Sequence, residues 1–404
     1  HRSALLLSGD LERLEHWARL ALEAVGTDLP PLGHDLLRQT LDTLLPRFDL
    51  VPSLDAQIAT AERTLIRLTD EQAFILDCLT DNRRAVISGS AGSGKTLVAA
   101  TCARRLAEAG QRVLILCFNN LLPGWIADHC GPGVEVCTFH ELCRRMVHEV
   151  TGASPRPPGD PAEARAYWTE ELACRASEAL PRYPSRYDAI LVDEAQDFHD
   201  LWWDPVLGLL DDPDQGRCYI FLDRAQRLYH RDANLPFPPA CRLTLRRNCR
   251  NTRPIASYVC DLAGLEGVRM GQLPEGSSPL EVPVADAEAE VTAVRRTLHE
   301  LVHEQAIDPG RIVVLGYHRL TRTAFWQGGR ARRLGNLELV DIDTERGANQ
   351  VTYSTVKRFK GLERDVVLLV EVAWIQSEHL SEPERRALLY VGASRAKHRL
   401  VVFT

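Results

Sequence analysis

Gly89-Ser-Ala-Gly92-Ser-Gly94-Lys95-Thr96 has the spacing G-x-x-x-x-G-K-[ST] and lies between a short apolar run, Arg84 to Ser88, and a segment rich in alanine and leucine. Glycines at this spacing let consecutive backbone N–H groups wrap phosphate oxygens. A lysine at position 95 reaches the outer phosphates, and the Thr96 hydroxyl is a Mg²⁺ ligand. About a hundred residues on, Ile190-Leu-Val-Asp193-Glu194 ends a second apolar run in two carboxylates. Asp193 suits the magnesium, and Glu194 suits positioning or deprotonating an attacking water. Strand-end carboxylates are often simple caps; what favours chemistry here is their pairing with the phosphate loop.

Together the two motifs define a P-loop nucleoside triphosphatase, with ATP and Mg²⁺ as the expected ligands. The composition agrees. Of 48 lysines and arginines only four are lysine, and these are Lys95, Lys357, Lys360 and Lys397. A chain that writes its cations as arginine has kept the compact ammonium in three short stretches, where a guanidinium would not be equivalent. A net charge of −7 excludes a uniformly basic surface but not a local positive channel for nucleic acid. No apolar run is long enough to span a bilayer, and no signal peptide is visible. Eleven cysteines, an odd number without a C-x-x-C pair, read as reduced thiols of a cytoplasmic protein. Cys130, Cys137 and Cys143, near His129 and His140, fit no zinc spacing and read as buried thiols. The chain starts at His1 without methionine, which suggests a fragment or a processed form.

The elements that must hold these residues follow from periodicity. Residues 1–67 read as a helical N-terminal segment, with apolar positions at helical spacing through Leu11, Leu14, Trp17 and Leu22. From about Leu68, strands and helices alternate, the pattern of parallel sheets covered by helices on both faces. A second series begins near Arg242, so the expected organisation is two α/β domains, 68–235 and 236–404. The stretch from Gly271 to Asp286 reads as loop.

Val192-Asp-Glu-Ala-Gln-Asp197 resembles motif II of superfamily 1 helicases of the UvrD/Rep type, and further motifs follow in that family's order. Leu68 to Gln72 looks like the Q motif, whose glutamine reads the adenine edge. Cys117 to Asn120 and Thr138 to His140 resemble motifs Ia and Ib, which line a single-strand channel. Leu222 to Gln226 looks like motif III, and Arg247 to Arg250 looks like motif IV. Thr355 to Glu363 is similar to motif V, and Tyr390 to Lys397 is similar to motif VI. The resemblance covers roughly residues 68–404 and implies two RecA-like domains with ATP·Mg²⁺ between them and single-stranded DNA, or RNA, across the top. It implies Arg250 and Arg395 as arginine fingers, Gln226 as the link from nucleotide to DNA, and Glu363 at the ribose. It also implies nucleic-acid contacts at Phe118, Asn120, Thr138, His140, Arg231 and Thr355.

Several positions depart from the family pattern. Cys249 stands where motif IV carries a base-stacking aromatic, Arg231 where motif III continues to one, and Lys357 where motif V has histidine. Phe118 and Phe139 suit either base stacking or the core, and Arg242, Arg246, Arg247 and Arg253 suit either phosphates or solvent. About 50 residues separate His140 from Asp193, and fewer than about 40 lie between Tyr317 and Thr355. The large insertions of the family's helicases are therefore expected to be minimal or absent. This compact form resembles helicase cores fused to nuclease-related (NERD) domains or used in phage defence. It leaves two readings open, an ATP-driven translocase or helicase and a nucleic-acid-sensing ATPase that controls a partner nuclease.

Overall fold

The computed structural model describes residues 70–223, 235–236, 241–265, 268, 270, 273–375 and 380–404. The N-terminal segment 1–67, Gln226 and Arg231 lie outside the described residues.

In chain order the first part comprises α1 (Asp70–Asp81), β1 (Arg84–Gly89), α2 (Lys95–Glu108), β2 (Val113–Cys117), α3 (Leu122–Cys130), β3 (Val134–Thr138), α4 (Phe139–Thr151), α5 (Pro161–Ala166), α6 (Leu172–Ala179), β4 (Ala189–Val192), α7 (Trp203–Leu207), β5 (Arg217–Leu222) and β6 (Cys241–Leu245). The six strands form one sheet in the order β3-β2-β4-β5-β1-β6, with every pairing parallel. Its central strands are buried along their length because both faces are covered. Alternate residues point to opposite faces. Ile87, Ile115 and Leu191 meet α1, α2 and α3 through Ile75, Val98 and Ile126. Val86, Leu114 and Ile190 meet α4, α6 and α7 through Leu142, Leu172 and Val206.

The second part comprises α8 (Arg253–Ala263), β7 (Leu280–Val282), α9 (Ala287–His299), β8 (Ile312–Gly316), β9 (Trp326–Gln327), β10 (Arg330–Ala331), β11 (Arg333–Leu334), β12 (Leu337–Asp341), β13 (Gln350–Thr355), β14 (Arg364–Leu369), α10 (Val372–Ile375), α11 (Glu382–Ala393) and β15 (Ala396–Phe403). Seven strands form a sheet in the order β11-β12-β13-β8-β14-β15-β7. It is parallel except for the β11–β12 pair. The face formed by Val314, Tyr353 and Val366 packs on α9, and the face formed by Val313, Val367 and Leu400 packs on α8 and α11. Ala91, from the loop after β1, joins this second-sheet core.

Two sequence expectations change. The strand near Arg242, grouped by sequence with the second series, is β6, and its register of Val86 against Arg242 and Ile87 against Leu243 makes it the edge of the first sheet. Within Gly271–Asp286, read as loop, Leu280–Val282 pairs with Val401–Phe403. A three-residue edge strand is too short to carry a visible period.

Beneath the carboxyl ends of β8 and β14, Glu290 is buried and accepts from the Glu371 N–H at 2.8 Å. Burial, with the Glu371 charge adding to it, raises Glu290 from 4.5 to about 7. The folded protein therefore holds a proton on Glu290 that the unfolded chain has released, and stability falls as pH rises from about 4.5 through 7. Glu290→Gln keeps the acceptor without the charge. It is expected to be more stable than wild type at pH 8, by on the order of 2 kcal/mol, with the gap closing towards pH 4.5. Urea denaturation at the two pH values checks this, and a gap independent of pH would refute it.

Candidate functional site

The chemistry-bearing residues of the first sheet follow the carboxyl ends of its parallel strands, where α/β sheets bind ligands. The phosphate loop follows β1, Asp193 and Glu194 follow β4, and Asp223 follows β5. Gly92 and Gly94 adopt φ of 78° and 82°, a region that side chains disfavour. A Cβ on Gly94 would also lie 2.2 Å from Gln72 Nε2, which donates to the Ser93 carbonyl at 3.0 Å. Gln72 is thus tied to the loop. Lys95, 6% exposed, donates to the Gly89 and Ser90 carbonyls at 2.8 and 3.0 Å and lies 3.5 Å from Asp223 Oδ2.

The Thr96 hydroxyl donates to Asp193 Oδ2 at 2.7 Å. A hydroxyl and a carboxylate in contact at the mouth of a phosphate loop are hard oxygen donors of the kind Mg²⁺ takes. Burial, then the adjacent Glu194 charge, raises Asp193 to about 6, the condition of a buried carboxylate that a cation would relieve. The residues therefore fit the ion. Glu194 differs from its neighbour. Burial opposes its ionisation, but Lys360, Lys95 and Arg395 outweigh that and hold it below the usual carboxylate range. Its backbone is left-handed, at φ 53°, a strained conformation for a residue with a Cβ and one that clusters at functional sites.

The second sheet contributes most of the surrounding cations. Arg395, 1% exposed, donates Nε to the Val391 carbonyl at 2.9 Å and Nη2 to Ser394 Oγ at 2.9 Å. Burial, then the Arg250 charge, lowers it to about 10, while Glu194 works the other way. Arg250 Nε pairs with Glu363 Oε2 at 2.5 Å, and Lys397 Nζ lies 3.8 Å from the other Glu363 oxygen. Against the cost of burial, Arg250, Lys397 and Arg395 hold Glu363 low. Gln72, Gly92, Gly94, Thr96, Arg250 and Glu363 line one cavity of about 380 Å³.

A second cavity, about 330 Å³, is lined by Phe118, Asn120, His140, Glu194, Thr355 and Lys357 among others. Four of the expected nucleic-acid contacts, Phe118, Asn120, His140 and Thr355, thus share one opening with Glu194. Of the other two, only Thr138 is described, and it does not join them. Thr138 is buried, and its hydroxyl caps α4 by accepting from the Glu141 N–H at 3.2 Å; Arg231 is not described. Phe139 is fully buried and stacks on Trp202 at 4.3 Å, so it belongs to the core. Phe118 is half-buried and stacks on the same Trp202 at 5.8 Å. Arg253 pairs with Glu275 at 2.8 Å. Cys130, Cys137 and Cys143 are buried free thiols.

Several residues important to this geometry were given no role of their own in the sequence, although most lie within its quoted motifs. Lys360 and Asp197 form a buried bidentate pair at 2.9 and 2.6 Å that joins the motif after β4 to the one after β13. Asn119 Nδ2 reaches the carbonyls of Arg358, at 2.9 Å, and Lys360. Gln196 donates to Glu194 and accepts from the Asp223 N–H at 3.0 Å. Tyr390 accepts from the Ala91 N–H at 2.7 Å and donates to Asp223 at 3.3 Å. Asn251 accepts from Asn248 Nδ2 at 2.8 Å and donates to the Ala396 carbonyl at 2.5 Å. The isolation of Lys360 in an arginine-rich chain was the available signal for one of them.

A phosphate loop on one parallel sheet, facing arginines and a carboxylate from a second, defines a pair of RecA-like P-loop domains. Comparison with known proteins narrows the class. An AAA domain model matches residues 72–229, and a UvrD-like helicase C-terminal domain model matches residues 350–403. Together the two matches support a UvrD-like helicase. No curated protein matches it. A solved structure described as the C-terminal domain of a possible DNA helicase from Lactobacillus plantarum WCFS1 is 22% identical, covering 38% of this chain and 86% of that one, with a TM-score of 0.28. No helix among the described residues is long and apolar enough to cross a membrane.

The Lys360–Asp197 pair gives a direct test of the join between the sheets. Lys360→Met leaves a buried carboxylate unpaired and is expected to cost about 3–5 kcal/mol. Adding Asp197→Asn should recover much of that loss. Denaturation of the three proteins checks it, and a single variant as stable as wild type would show that the pair does not form.

Proposed function

We propose that this chain is an ATP-driven motor that moves along single-stranded DNA, built from a first domain through about residue 245 and a second from about residue 253. The observation that carries the reading is the convergence of Lys95, Lys360 and Arg395, from both sheets, on Glu194, at a carboxylate that also lines the cavity holding Phe118, Asn120, His140 and Thr355. In this reading Lys95 binds the outer phosphates. Thr96 and Asp193 hold Mg²⁺, which supplies charge neutralisation at those phosphates. Glu194, kept ionised by its cationic surroundings, accepts the proton of the attacking water. Arg250 and Arg395 come from the opposite side to stabilise charge on the transferring phosphoryl group. Glu363, now paired with Arg250, sits at the ribose end. Gln72 reads the base edge, and Gln226 completes the link towards the strand.

Movement then requires the two sheets to change their grip with the nucleotide state. Asn119, Lys360 and Asp197 tie the motifs at both cavities together, so a shift that closes Arg395 on the nucleotide also moves the walls around the strand. Between β3 and β4 the described residues form α4, α5 and α6, of which α4 and α6 pack into the core of the first domain. This supports translocation as the core activity, with unwinding dependent on what else the motor carries.

Lys95→Ala and Glu194→Gln are each expected to abolish ATP turnover. Glu194→Gln should retain ATP binding, whereas Lys95→Ala should weaken it. Phosphate release and equilibrium nucleotide binding measure the two, and near-normal turnover in either variant would overturn the assignment.

A further inference from the structure

The cavity at the phosphate loop has a wall that the proposed chemistry does not use. On α3, Trp125 and His129 stand one helical turn apart and both line it, alongside Gln72, Leu97 and Cys249. Their rings lie nearly parallel, 18° apart, with centroids separated by 3.8 Å. His129 Nδ1 lies 2.7 Å from the Trp125 carbonyl oxygen, which holds the imidazole back along its own helix. Trp125 is half-buried: it packs against the core of the first sheet and lines the cavity.

A purine nucleotide needs three things from such a site. Its phosphates need backbone donors and cations, which the loop, Lys95 and Arg250 supply. Its base edge needs a hydrogen-bonding side chain, and Gln72 lies against the loop where it can serve. Its base also presents a flat π surface, which is best buried against another ring. Leu97 and Cys249 offer no such surface, whereas Trp125 does. A ring already stacked on His129 is also fixed in orientation, so little freedom is lost when a base joins the stack.

We propose that Trp125, backed by His129, is the base-stacking residue of the nucleotide site and sets its preference for purines. The proposal rests on the reading of the cavity as an ATP site. It assigns to α3 of the first domain a contact that the chain from β6 to α8, with Cys249 at the cavity, does not offer.

The test is steady-state ATPase kinetics of wild type, Trp125→Leu, Trp125→Phe and His129→Ala, with inorganic tripolyphosphate as a competitive inhibitor that has no base. Trp125→Leu is expected to raise KM for ATP about tenfold through weaker binding, while the inhibition constant of tripolyphosphate stays at the wild-type value. Trp125→Phe should restore most of the loss, and His129→Ala should fall between. Wild-type preference for ATP over CTP should shrink in Trp125→Leu. An unmoved KM in Trp125→Leu, or equal losses for ATP and tripolyphosphate with no rescue by phenylalanine, would overturn the inference and leave the ATPase reading standing. A wild-type chain that neither binds nor hydrolyses ATP would overturn the motor reading, and this inference with it.

Discussion

Asp193 and Glu194 are adjacent carboxylates with almost no access to water, and two such charges side by side in a protein interior cannot both persist unaided. The structure treats them differently. Asp193 sits against Thr96 and is raised to about 6 by burial, so the cation proposed for it would complete its environment. Glu194 is held ionised by Lys360, Lys95 and Arg395, two of which come from the second sheet. Separating the sheets would strand this carboxylate. The neighbouring contacts enforce the same closure: Asp197 on Lys360, and Tyr390 on the Ala91 N–H.

Because the stabilising charges are split between two sheets, any change of charge at the phosphate loop is also a change in the force holding the sheets together. Gln196 bridges sideways, donating to Glu194 and accepting from the backbone of Asp223. Asn119 reaches the second cavity, bonding the backbone at Arg358 and Lys360. Arg395 is the most constrained of the group, a buried guanidinium lowered to about 10, with its donors spread over Val391, Leu362 and Ser394. Its charge acts on Glu194 here, and its contacts fix it to its own domain, so it would reach a nucleotide only as that domain moves.

Much of this was legible in the sequence, for physical reasons that can be named. The phosphate loop and the Asp193-Glu194 pair are local patterns whose chemistry demands particular residues at fixed spacing. The buried strands Val113–Cys117 and Ala189–Val192 are unbroken apolar runs. What escaped was non-local. Whether β6 belongs to the first or second sheet depends on its partner, β1, more than 150 residues away. Phe139 is core and Phe118 borders a cavity although both stack on Trp202, a non-local neighbour that sequence gave no reason to weigh. Thr138 looked like a channel residue from its motif, but its hydroxyl serves the helix it begins. The aromatic wall at Trp125 lies between motifs and carries no pattern of its own.

The measurement that bears most directly on the coupling of the two cavities is the ATPase rate of the purified chain titrated with single-stranded DNA, and in parallel with duplex DNA and with RNA. The account predicts strong, saturable stimulation by single-stranded DNA, because a strand in the cavity beside Glu194 favours the closed arrangement that brings Arg250 and Arg395 to the nucleotide. A basal rate unchanged by any nucleic acid would contradict it, and would mean that the contacts through Asn119, Lys360 and Asp197 hold the fold together without connecting the two sites.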